Sequence, residues 1–166
     1  STNQTAGTNT SNSTGGVDFY FNATCDHAVG VQYWSAFVNT TDSCYQPDFA
    51  VDFEVSIYAD FSFNISNPNG ENYTVGDNVT ITVELTDECG NYVDAATVEF
   101  NLTGLSNQTM CGGANLTDQG NGTYTCTWNS SGYAAGYYAI NANASKTWYN
   151  FAESVDKSNA YLLLTP

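Results

Sequence analysis

The sequence predicts an all-β sandwich preceded by a further strand-forming segment. Three observations carry that expectation. Aromatic and β-branched residues alternate with polar ones through most of the chain. Gly, Asn and Asp mark breaks at short intervals. No window shows an apolar repeat of helical period. At 166 residues the chain is long enough for one core with an appendage.

Three regions are expected: a tail over 1–16, an N-terminal β segment over 17–57 and a sandwich over 58–166. The tail, STNQTAGTNTSNSTGG, holds no apolar residue larger than alanine and reads as disordered. The next segment offers two strands. VDFYFNAT (17–24) places Val17, Phe19 and Phe21 on one face, and VQYWSAFV (31–38) is apolar on both. A longer alternation follows, with Phe49, Val51, Phe53, Val55, Ile57, Ala59, Phe61, Phe63 and Ile65 on nine successive odd positions. A strand rises about 3.3 Å per residue, so a straight run would extend roughly 56 Å, against about 20 Å for an ordinary strand. Either it bends near Ala59 and serves two sheets in turn, or it bridges from one folded unit into the next.

Beyond residue 57 the chain parses into seven strands, over 58–66, 78–86, 95–103, 114–118, 122–128, 136–145 and 155–164. Turns fall at NPNGE, DECGN, DQGNG, SSGYAAG and around Asn150. Seven short strands with regular turns suggest an immunoglobulin-like β-sandwich with an additional N-terminal β-strand segment. In GTYTCTW the side chains of Tyr124, Cys126 and Trp128 share one face, and Val79, Ile81, Val83 and Leu85 form a second apolar row. The stretches YTVGDNVTITVELTDECGNYVDAATVEFNLTG, LTDQGNGTYTCTW and AAGYYAINANASKTWY resemble the invasin-type (Big) bacterial and archaeal immunoglobulin-like repeats of surface glycoproteins. That resemblance covers about 58–164 and implies an adhesin, S-layer or filament role.

Asparagine occurs 20 times. Chance would place Ser or Thr two positions later about four times, and 14 such sequons occur. They are Asn3, Asn9, Asn12, Asn22, Asn39, Asn64, Asn72, Asn78, Asn101, Asn107, Asn115, Asn121, Asn129 and Asn143. The excess points to N-linked glycans and an extracellular, cell-surface location, and requires each modified side chain to face outward. The chain opens at Ser1 and Met110 is its one methionine, so removal of an initiator and signal peptide is expected. No stretch approaches the roughly 20 apolar residues of a membrane span.

Seventeen acidic residues face Lys146 and Lys157 with no arginine, a net charge of -15. Nothing could displace counterions from phosphates, so nucleic acid is excluded as a partner. The five cysteines favour pairing in an oxidising compartment. Proximity pairs Cys25 with Cys44 and Cys111 with Cys126, leaving Cys89 at a hairpin tip as a buried thiol or an inter-subunit link.

Catalysis is not expected. His27 is the one histidine and reads as a turn residue, the acids are scattered along solvent-facing positions, and no cofactor is implied. Asp87, Glu88, Asn91 and Asp94 crowd one hairpin and form a weak calcium candidate without EF-hand spacing; no other metal site is expected. A pilin-like isopeptide crosslink at either lysine competes with a plain solvated lysine. Two functional readings stay open. One is a filament subunit, similar to the glycosylated archaeal thread and pilus subunits, polymerising with copies of itself by donating Val17, Phe19 and Phe21 into a neighbour. The other is an adhesin or S-layer repeat that presents loops to a partner surface.

Overall fold

The computed structural model describes residues 7–38, 44, 46, 48, 49, 52–103, 108–112, 115–153 and 157–164. Its named elements are all strands: β1 (Gly30–Trp34), β2 (Phe37–Val38), β3 (Asp48–Phe49), β4 (Phe53–Ile57), β5 (Phe61–Asn67), β6 (Glu71–Thr74), β7 (Asn78–Asp87), β8 (Thr97–Thr103), β9 (Gln108–Gly112), β10 (Thr117–Asp118), β11 (Thr123–Asn129), β12 (Gly136–Ser145), β13 (Ala152–Glu153) and β14 (Lys157–Leu164).

Two sheets form the sandwich. One runs β10-β11-β7-β5 and the other β6-β14-β12-β8-β9, with β13 also on β12. Every pairing is antiparallel except β14 with β6, which is parallel. This is the immunoglobulin arrangement, with β5, β7, β11 and β10 in the A, B, E and D positions and β14, β12 and β8 as G, F and C. Alternation dictates which rows meet. Val79, Ile81, Val83 and Leu85 from β7 are fully buried, and Tyr124, Cys126 and Trp128 from β11 extend the same inner face. Val98, Phe100 and Leu102 of β8 and Tyr138, Ile140, Ala142 and Ala144 of β12 close the core from the other side.

Two core tyrosine hydroxyls are satisfied locally, whereas Asn141 Oδ1 on β12 is buried without a hydrogen-bond partner among the described residues. The Tyr138 hydroxyl donates to the Ala134 carbonyl at 2.8 Å, which makes it the tyrosine corner at the start of the F strand. Ile140 stands two residues later, where antibody domains place a cysteine. The Tyr124 hydroxyl donates to the Val93 carbonyl and accepts from the Ala96 amide, both at 2.9 Å, tying β11 to the turn before β8. Gly122 has φ +73, and a Cβ there would lie 2.8 Å from the Leu85 carbonyl oxygen, so no other residue fits the approach of this hairpin to β7.

The long alternation bends. β3, β4 and β5 divide it, with 50–51 outside the described residues. Ala59, 1% exposed, donates to the Trp148 carbonyl at 3.1 Å and accepts from the Asn150 amide at 2.9 Å. A small side chain lets the backbone pass against the 148–150 segment, and the strand changes partner there, from β1 to β7. Three other expectations need correction. Residues 17–24 form no strand within the chain, the 31–38 run breaks at 35–36, and β6, β9 and β13 are additional strands. β6 and β9 (ENYT and QTMCG) lack the apolar alternation that marks the core strands, and β13 is two residues long.

Candidate self-assembly surface

Ahead of the sandwich, β1 and β4 pair as a two-stranded antiparallel ribbon, with Gly30 opposite Ile57 and Trp34 opposite Phe53. The pleat puts Trp34, Phe53 and Val55 on one face and Val31, Tyr33, Glu54 and Ser56 on the other. Trp34 and Phe53 stack with ring centroids 4.8 Å apart, yet both stay exposed, as do Val31 and Tyr33. A hydrogen bond to Glu54 and its negative charge raise the pKa of the Tyr33 hydroxyl.

Three contacts fasten this ribbon to one end of the sandwich. At its root Gly30, at φ +107, faces the Trp148 ring, with room for a Cβ only 3.5 Å from the ring edge. Trp148 in turn meets Tyr58 edge-on, centroids 5.6 Å apart. The third contact is covalent: Cys25 bonds Cys89, with S–S 2.04 Å and a sequence separation of 64. This corrects the expected Cys25–Cys44 pairing. Phe61 sits opposite Asp87 in the β5–β7 register, so the β7–β8 hairpin tip returns to the place where the N-terminal segment enters. Sequence distance does not measure that proximity. Cys89 is therefore a disulfide partner, and Cys44, exposed, belongs to neither disulfide. Cys111 and Cys126 form the second disulfide, joining β9 to β11 across the two sheets.

Upstream of Cys25, residues 17–24 pair with no strand among the described residues. Val17, Phe19 and Phe21 are 41%, 47% and 50% exposed and Tyr20, on the opposite row, 94%. The segment ends in a turn in which the His27 amide donates to the Thr24 carbonyl at 2.9 Å. The His27 ring meets the edge of Phe21 at 5.0 Å. Its role is a turn contact.

Of the sequon asparagines, Asn9, Asn12, Asn22, Asn64, Asn72, Asn78, Asn115, Asn121 and Asn129 are exposed, and Asn101 and Asn143 are half-buried. Asn3, Asn39 and Asn107 lie outside the described residues. Asn12 sits in a tight turn, its Oδ1 accepting from the Thr14 hydroxyl at 2.8 Å and the Thr14 amide at 3.0 Å.

The calcium-candidate residues make hydrogen bonds to neighbouring turns. Asp87 accepts from the Cys89 and Asn91 amides at 2.9 and 2.8 Å and from the Asn91 side chain at 3.1 Å. Glu88 accepts from the Asp60 amide at 2.7 Å, and Asp94 accepts from the Gly122 amide. The carboxylates point to different segments instead of converging, and no three His, Cys, Asp or Glu among the described residues are grouped to hold a metal. Lys146 donates to the Asp94 carbonyl at 2.7 Å and lies over the Tyr149 ring, so it acts as a strap across the same end.

Residues 62–142 match the family model of a bacterial Ig domain. The matched span runs from β5 into β12 and supports an Ig-like domain there, in agreement with the strand order. No curated protein matches the chain. Ig-like domains are generally non-enzymatic, and this one suggests a surface or adhesin-type role. Two disulfides fit an extracellular or surface protein. Among the described residues no helix is long and apolar enough to cross a membrane.

Proposed function

We propose that the chain is a non-catalytic structural subunit of an extracellular, N-glycosylated surface filament, assembled head to tail by strand donation from residues 17–24. The observation that carries this reading is the Val17, Phe19 and Phe21 row, apolar, alternating, exposed and in a segment that pairs with no strand among the described residues. Backbone pairing to a neighbour would supply affinity and the alternate side chains specificity. The chain's own β14 already fills the position beside β12, so the donated strand adds to an open edge and does not plug a vacant strand position. The exposed sequons supply the glycan acceptors, which keep a polymer of aromatic-rich subunits soluble.

The test is deletion of residues 17–24 with Cys25 retained, read by light scattering and negative-stain microscopy. The full chain forms thin, uniform filaments and the deletion leaves folded monomers. Monodisperse monomers of the full chain at every concentration, or filaments from the deleted one, overturn the reading. Intact mass before and after chemical deglycosylation tests the sugars separately. A second reading, an adhesin or S-layer repeat binding a partner surface, is favoured by the Ig-domain match. It gains if the full chain stays monomeric and binds a surface through its loops.

A further inference from the structure

We propose that the β1–β4 ribbon is the acceptor for residues 17–23 of a second copy. The proposal rests on the filament reading above and names the surface that reading leaves open. Apart from the two-residue β13 on β12, four strands form the open edges of the sandwich among the described residues: β5, β6, β9 and β10. Each carries or adjoins a sequon. Asn64 lies in β5, Asn72 in β6, Asn107 immediately before β9 and Asn115 two residues before β10. A glycan on or beside an edge strand crowds the approach of a second glycan-bearing strand, so a donor that itself carries the Asn22 sequon meets least crowding at an edge without one. β1 and β4 neither carry nor adjoin a sequon, whereas in the other two-stranded sheet β2 abuts Asn39.

The ribbon is also incomplete as a sheet. Two strands alone are marginal in water and need a third or a packed face. Here both strands have an outer edge with no partner among the described residues, and Trp34 and Phe53 are stacked but exposed. Residues 17–23 supply what is missing: a run long enough to line either five-residue strand, with an apolar row to lay beside the Trp34–Phe53 stack and Asn22, the sequon, on the opposite row. Copies at a net charge of -15 repel one another, so contact must come from a short apolar element, and added salt must favour it.

The experiment uses the full chain. Phe19→Lys and Trp34→Asp are each expected to reduce assembly at least tenfold, and the combination to restore it in part by pairing opposite charges. Both side chains are exposed, and circular dichroism with intact disulfides checks that each variant folds. As a second readout, amide exchange across Gly30–Trp34 and Phe53–Ile57 slows at least tenfold in assembled material. If Phe19→Lys abolishes assembly while Trp34→Asp assembles normally and the ribbon amides are unprotected, the acceptor lies elsewhere and the filament reading stands. If the unsubstituted chain never assembles, both fall.

Discussion

Replacing Cys25 and Cys89 together with serine removes a crosslink that spans 64 residues. Loop-closure entropy assigns such a bond about 4 kcal/mol at 25 °C, against about 3 kcal/mol for the 15-residue Cys111–Cys126 loop. The larger figure applies if ribbon and sandwich unfold as one unit, and the contacts at Ala59 and between Gly30 and Trp148 couple them. Urea unfolding followed by tryptophan fluorescence suits the question, because Trp34 is on the ribbon, Trp148 at the junction and Trp128 in the sandwich. The expected result is one transition with stability lowered by about 4 kcal/mol. A loss below about 1 kcal/mol would show that the crosslinked segment does not fold cooperatively with the sandwich. Peptide mapping of the oxidised protein with acid-specific proteases checks the premise, and a Cys25–Cys44 peptide would refute it.

Tyr124→Phe leaves the Val93 carbonyl and the Ala96 amide without their partner and is expected to cost about 2 kcal/mol in denaturant titration. Gly122→Ala meets both a positive φ and the Leu85 carbonyl; loss of about 3 kcal/mol or failure to fold is expected, read by thermal melting. Asp87→Ala removes three hydrogen bonds from the β7–β8 turn and is expected to lower stability by about 2 kcal/mol, while calcium and chelators leave the melting temperature of the parent protein unchanged. Burial holds the hydroxyl pKa values of Tyr73, Tyr124, Tyr138 and Tyr149 above the ordinary 10.0. A raised folded-state pKa contributes stability that is complete below about pH 10 and is lost as pH rises beyond it, because the unfolded chain ionises first. Melting temperature should therefore fall on the alkaline side of about pH 10, less steeply in Tyr124→Phe, and an unchanged alkaline slope in that variant would contradict the assignment.

The sandwich was legible because its strands bury one face each. The Val79 to Leu85 row and the Tyr124, Cys126 and Trp128 row declare their inward side by alternation alone, and Gly122 marks the turn between β10 and β11. β6 and β9 were not legible, since these short edge strands touch the core through isolated residues, Tyr73 and Cys111, and carry no alternating apolar row. The bend at Ala59 could be placed but not resolved from the sequence. Alternation continues unbroken through a change of partner, and what stops the strand is the backbone of Trp148 and Asn150, about 90 residues downstream. The same blindness produced the wrong disulfide. Cys44 is closer to Cys25 along the chain, whereas Cys89 is brought close by the length of the β5–β7 pair. For the candidate surface, the apolar character of VQYWSAFV was visible. That Trp34 and Phe53 face solvent together was not, because their register depends on a strand 19 residues away.

A pull on residues upstream of Cys25 enters the sandwich through sulfur at the β7–β8 tip. The ribbon and strands β5, β6 and β7 lie inside the covalent loop, so tension passing toward the C-terminus bypasses them. Roughly 220 Å of contour is thereby withheld from extension until the bond is reduced. A load applied at the N-terminal segment stretches a shorter molecule than its sequence implies, and the face offered by Trp34 and Phe53 keeps its shape while the chain on either side is under strain.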